Sequence, residues 1–126
     1  MDSPFPPGLD RDVAEMERAL VRLDRATARR LFQAHVDACG SVAGVDSLVV
    51  PALERIGDAW SGGRLSLSQV YMAGRQCEAL VDMFLPHGAP DRRRHPPIAT
   101  AALEDYHLLG IRIVGSALRS AGYEIH

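Results

Sequence analysis

Lysine is absent from this 126-residue chain, and all 14 basic residues are arginine. That removes the one side-chain amine suited to Schiff-base chemistry. Cysteine is scarce: Cys39 and Cys77 stand far apart and match no metal-ligand spacing. No apolar run approaches the ~20 residues needed to span a bilayer. The start, Met1-Asp2-Ser3-Pro4-Phe5-Pro6-Pro7, lacks the basic and apolar regions of a signal peptide. The expectation is a soluble cytoplasmic protein with reduced thiols. A strong charge of either sign is missing too. Fourteen basic residues against 16 acidic leave a net charge of −2, which gives no general pull toward nucleic acid or an anionic membrane. What is present is apolar material, 47% of the residues, enough for a globular core.

The arrangement of that material is helical for most of the chain. After a loose lead-in with three prolines, Val13, Met16, Leu20 and Leu23 recur at three- and four-residue spacing. Asp24 is placed to cap a second helix carrying Ala28, Leu31, Phe32, His35 and Val36 on one side, with Gly40 and Gly44 bracketing its stop. A third helix is expected from about Asp46 or Ser47, carrying Leu48, Val49, Leu53, Ile56 and Trp60, with Pro51 tolerated in its first turn. Ser61-Gly62-Gly63 ends it. Ser66-Leu67-Ser68-Gln69 has the form of a capping box. The fourth helix then runs to about Leu85, with Val70, Ala73, Gly74, Cys77, Leu80, Val81 and Phe84 as its apolar face. Four amphipathic helices with short connections predict a bundle over residues 10–85.

Residues 86–97 hold four prolines, a glycine and the run Arg92-Arg93-Arg94, and read as a polar linker. Beyond it the pattern changes. Ile98 to Leu103 is short and apolar, as a buried strand would be, and Glu104 to His107 forms a loop. Leu108, Ile111, Val114, Ala117, Leu118 and Ala121 return to helical spacing, Gly122 supplies a stop, and Tyr123-Glu124-Ile125 begins another strand. Strand, helix and strand over residues 98–126 make the opening of a Rossmann-like parallel α/β domain, incomplete at His126. The predicted fold is therefore mostly α, a four-helix bundle followed by a truncated α/β unit.

Asp105-Tyr106-His107-Leu108-Leu109-Gly110 falls at the strand-to-helix junction, where open α/β sheets place ligands. In the spacing D-x-H-x-x-G, His107 can offer a neutral ring nitrogen to a metal. Asp105 can accept a hydrogen bond from the other nitrogen and fix the tautomer. Gly110 lets a flat ligand approach the backbone. A chain of this composition yields about 0.03 such matches by chance. A loop histidine paired with an aspartate for purely structural reasons gives the same pattern.

Two segments, in order, resemble a known family. Asp105-Tyr106-His107-Leu108-Leu109-Gly110, with Ile111-Arg112-Ile113-Val114 after it and Leu118-Arg119-Ser120-Ala121-Gly122-Tyr123-Glu124 as a finish, resembles the signature of corrinoid proteins related to the cobalamin module of methionine synthase. Upstream, the segments 51–60 and 63–73 are similar to the third and fourth helices of that family's cap domain. The resemblance implies cobalamin as cofactor, His107 as lower ligand to its cobalt, and contacts from Asp105, Tyr106, Leu108 and Gly110. It also implies a methyl-carrier subunit that works with methyltransferase subunits and is not an enzyme by itself. Val70 and Tyr71 stand where light-sensing and methionine-synthase-like members often carry an acidic residue and a histidine, which is closer to the methyl carriers. The family's later strand–helix units, which hold the nucleotide tail, do not appear before His126. A homo-oligomer, or a partner completing the α/β domain, is the corresponding expectation.

Within the cap, Gln69, Met72 and Gln76 fall at i, i+3 and i+7 along one flank of the fourth helix. A thioether and two amides can cover a flat ligand without reacting with it; Met72 as core filler is the alternative. His35 is read as a satisfied core histidine, Trp60 as a plug at the end of the bundle, and His87 and His95 as solvent-facing. Two other functions fit the same residues: a cobalamin-responsive sensor, and an interaction module that has lost its cofactor.

Overall fold

The computed structural model describes residues 8–85, 93–101 and 108–126, with the backbone alone for 108–110. The described part is mostly helical. It divides into two compact units, Met1–Cys77 and Glu78–His126. The expected boundary at 86–97 lies largely outside the described residues.

The first unit is a helical bundle. Helix α1, Leu9–Val21, starts with Asp10 and Asp12 in its first turn, where carboxylates meet the positive end of the helix dipole. It buries Val13, Met16, Ala19 and Leu20. Leu23, expected to extend that stripe, lies past the helix end in a left-handed conformation, φ 58°, with its side chain exposed. Helix α2, Arg25–Cys39, is capped by Asp24, whose carboxylate accepts from the Thr27 backbone N–H at 3.1 Å and the Thr27 hydroxyl at 2.7 Å. Its buried residues are Ala28, Leu31 and Phe32.

The chain resumes helical structure directly after Gly40, earlier than the sequence pattern predicts. A short α3, Ser41–Gly44, runs into a π-helical turn, Val45–Val49, and then into α4, Val50–Ser61. Gly40 is a stop, with φ 90°. Gly44 is not; it is helical and buried. The widened turn sits immediately before Pro51, which has no N–H to give and whose ring would crowd the carbonyl one turn back. The Val50 N–H bonds to the Val45 carbonyl across the wider ring instead. Val45, Leu48, Val49, Ala52, Ile56 and Ala59 face inward along this run.

α1 packs against α2 and α4. Arg30 reaches Glu15 at 3.1 Å, and Arg55 Nε reaches Glu17 at 2.6 Å. These pairs are exposed enough to contribute little, about 0–1 kcal/mol each, so apolar burial carries the packing.

Helix α5, Leu67–Phe84, opens on the capping box as expected. Gln69 Oε1 accepts from the Ser66 N–H at 2.8 Å, and the Gln69 N–H donates to Ser66 Oγ at 3.2 Å. Ala73, Gln76 and Cys77 are buried in the part of α5 that belongs to the first unit.

The second unit contains the rest of α5 and helix α6, Leu108–Ser120. Among the described residues there is no strand in this unit. One parallel bridge joins Ile98 to Ile125 where the sequence pattern predicts two strands. The Ile98 N–H donates to the Glu124 carbonyl at 2.8 Å, and the His126 N–H to the Ile98 carbonyl at 2.9 Å. His95 does not simply face water: its ring stacks on Tyr123, with centroids 4.1 Å apart. Among the described residues, no helix is long and apolar enough to cross a membrane.

Candidate functional site

The residues expected to meet a cofactor fall on two elements, α5 in the first unit and the start of α6 in the second. Asp105, Tyr106 and His107 lie outside the described residues. Leu108 and Gly110 belong to the first turn of α6, so His107 directly precedes that helix in the chain.

α6 is tied to the end of α5 by two polar contacts spaced one helical turn apart. Arg112 pairs with Glu78. Ser116 Oγ donates to Asp82 Oδ1 at 3.1 Å, and Ser116 is only 2% exposed. Glu78 and Asp82 stand at i and i+4 on α5, as Arg112 and Ser116 do on α6, so one register satisfies both pairs. Sequence reasoning missed these four residues as a set. Their shared spacing was a signal, but it names no partner helix.

Gln69, Met72 and Gln76 share α5 but have different surroundings. The acceptor oxygen of Gln69 is committed to the cap, taking a second hydrogen bond from Ser66 Oγ at 3.1 Å. Met72 is 43% exposed, which removes it from the core and leaves a soft apolar side chain on the surface. Gln76 is 6% exposed, yet among the described residues neither its Oε1 nor its Nε2 has a hydrogen-bond partner. Buried amides are normally paired. An orphaned amide one turn from an exposed thioether suits a ligand that is flat and apolar across its face and polar at its rim, as cobalamin is. The residues present therefore fit the cofactor.

A second polar cluster lies in the first unit. His35, with its side chain 11% exposed, sits between Asp12 and Ser47. Its Nε2 is 3.0 Å from Asp12 Oδ2 and its Nδ1 is 3.3 Å from Ser47 Oγ. A carboxylate only accepts, so Nε2–H donates to Asp12, and Nδ1 and the Ser47 hydroxyl share the second hydrogen bond. The composition is that of an acyl-transfer triad. Ser47, however, lies within a helical run whose N–H groups bond to its own carbonyls, away from any developing oxyanion. The cluster ties α1, α2 and the π turn together, and His35 is the satisfied core histidine that the sequence suggests. Trp60 is partly exposed at the end of α4.

The model of the B12 binding domain family matches residues 13–84. That span runs from within α1 to the last residue of α5 and takes in the capping box, Met72 and Gln76. No curated protein matches the chain. With more than half of its length matched and an α5 flank suited to a corrin ring, the chain belongs to the B12 binding domain family, and cobalamin is its cofactor.

Proposed function

We propose that this chain is a corrinoid methyl carrier of a cobalamin-dependent methyltransferase system, with His107 as the ligand to cobalt. The observation that carries the reading is the match over residues 13–84 followed, in the family's order, by D-x-H-x-x-G at the start of α6. Residues 10–85 act as the cap, residues 86–97 as a linker, and residues 98–126 open a Rossmann-like α/β domain. The parallel bridge from Ile98 to Ile125, on either side of α6, supports that opening. Parallel pairing across an intervening helix is what a strand–helix–strand unit produces.

Bound cobalamin supplies a cobalt centre able to accept a methyl group and give it up; the protein supplies ligation, orientation and protection. His107 would present one ring nitrogen to the metal, and Asp105 would accept a hydrogen bond from the other and hold the tautomer. Tyr106, Leu108 and Gly110 would contribute the neighbouring contacts, and Gly110, which has no side chain, would let a flat ring approach the backbone. On α5, Met72 would offer the ring an exposed thioether, a side chain that neither acts as a base nor donates a proton. Val70 and Tyr71 favour a carrier over a light sensor, because neither offers the acidic residue and histidine often found there. The methyl donor and acceptor belong to methyltransferase subunits that dock in turn, in the cytoplasm. A second copy, or a partner that extends the sheet, covers the edge beside Ile98 and Ile125.

The test is the paramagnetic-resonance spectrum of the cobalt(II) form. Wild-type protein is expected to show nitrogen splitting from a histidine, and His107→Ala to lose it. Asp105→Asn is expected to weaken binding about 10–100-fold. A His107→Ala protein with unchanged spectrum and affinity overturns the assignment.

A further inference from the structure

We propose that the Gln76 side chain reads a primary amide on the rim of the corrin ring, which makes α5 selective for amidated corrinoids. The inference rests on the reading that the chain binds a corrinoid. Gln76 is 94% buried by its 6% exposure, and among the described residues both of its polar side-chain atoms lack partners. A buried amide without partners carries its full desolvation penalty, and an apolar side chain of the same length would avoid it. A residue kept at that cost is explained by a ligand that removes it.

The two open atoms define the complement. Oε1 needs a donor and Nε2 needs an acceptor, side by side in one plane. A carboxylate offers no donor and an ammonium no acceptor. Another primary amide offers both and closes a pair of N–H···O bonds with Gln76. Cobalamin carries acetamide and propionamide arms around its ring, so the required group is on the cofactor. The neighbours agree with this placement. Met72, one turn earlier, presents an exposed thioether suited to the apolar face of the ring, while Ala73 and Cys77 on the adjoining flank are buried. Gln69 does not duplicate the role, because its oxygen is occupied by Ser66.

The experiment compares the wild-type chain with Gln76→Met, which keeps length and volume and removes both polar atoms. Each protein is titrated by visible absorbance with two probes lacking the nucleotide tail: cobyric acid, with amide arms, and cobyrinic acid, with carboxylate arms. Gln76→Met is expected to bind cobyric acid about tenfold more weakly than wild type, the size of two lost net hydrogen bonds. Gln76→Met should lose less affinity for cobyrinic acid, whose carboxylate can accept from Nε2 but cannot donate to Oε1, and ligand-free Gln76→Met should melt at or above the wild-type temperature. Equal cobyric acid affinities overturn the proposal, as do equal losses for both probes, which would indicate altered packing. A ligand-free variant that melts lower also overturns it, because the amide is then satisfied within the fold. A wild-type chain that binds neither probe removes the corrinoid reading together with this one.

Discussion

Among the described residues, three helices end on the same pair of hydrogen bonds, and one of them places a side chain at the strained position. After α1 the Asp24 N–H reaches the Ala19 carbonyl and the Leu23 N–H reaches Leu20. After α4, Arg64 reaches Ala59 and Gly63 reaches Trp60; after α6, Tyr123 reaches Leu118 and Gly122 reaches Arg119. This is the Schellman arrangement, which needs one residue in the left-handed region. Gly63 (φ 74°) and Gly122 (φ 94°) adopt it freely, whereas Leu23 (φ 58°) brings its Cβ close to the following carbonyl. The Leu23 side chain is exposed, so little packing is lost on removing it. Leu23→Gly is expected to stabilise the chain by about 0.5–1 kcal/mol, the left-handed strain less the backbone entropy of glycine, read as a raised urea midpoint. The next residue gives a pH prediction. Hydrogen bonds from the Thr27 hydroxyl and N–H hold the Asp24 carboxyl below the usual carboxylate range. A lowered native value means the unfolded chain binds the proton first, so the contribution is complete above the ordinary carboxylate value and is lost as pH falls through the native one. Asp24→Asn caps nearly as well but does not titrate. It should match wild type at pH 7 and lose less stability between pH 5 and 2; parallel melting curves across that range would count against the cap as the source.

At the scale of elements, contact between helices decides what local pattern leaves open. Asp24 and the box at Ser66–Gln69 were legible because each acts within four residues of itself. Gly44, expected to bracket the stop of α2 together with Gly40, is helical, and its role is set by another helix. A Cβ there would stand 3.3 Å from Val36 Cγ2 and 3.4 Å from Phe32 Cε2. The missing side chain is what lets α3 lie against α2. Gly44→Ala gains helix propensity of about 1 kcal/mol and spends it on shifting Val36, so it should be close to neutral. Gly44→Val adds bulk that buried Phe32 cannot give way to and should cost about 1–3 kcal/mol, measured by urea unfolding. The contact between Ser116 and Asp82 was equally hidden, since 34 residues separate the two. Ser116 is buried, so removing its acceptor leaves a dry hydroxyl unpaired. Asp82→Ala should cost about 1–2 kcal/mol, whereas Ser116→Ala removes the buried polar group itself and should cost less. Hydrogen exchange of the α6 amides is the measurement, and equal protection in the two variants would contradict the asymmetry.

For the whole molecule, helical periodicity was enough to predict a mostly α chain, because each stripe, such as Val13, Met16 and Leu20, meets a complementary one. It was not enough to place the π turn just before Pro51, or to reveal that Gln76 is buried with no hydrogen-bond partner among the described residues. The last expectation follows from where the apolar residues lie. Met16, Leu20, Phe32, Leu48, Val49 and Ile56 are fully or almost fully buried, and all precede Cys77. α1, α2, the π turn and α4 therefore hold a contiguous core before α6 enters the chain. The matched span closes at residue 84, within one residue of the last buried position of this stretch, Leu85. A chain shortened to end at Leu85 loses Arg112 and Ser116, partners of Glu78 and Asp82 on the surface of α5, but none of those core residues. It should unfold in a single cooperative helical transition, with calorimetric and van't Hoff enthalpies in agreement. Phe32→Ala in that shortened chain should lower its stability by about 3–5 kcal/mol, as a large void at the centre of a core does. A broad, probe-dependent melt of the shortened chain would mean that the bundle needs the residues after Leu85 to complete its core, and residues 10–85 would then not be a domain.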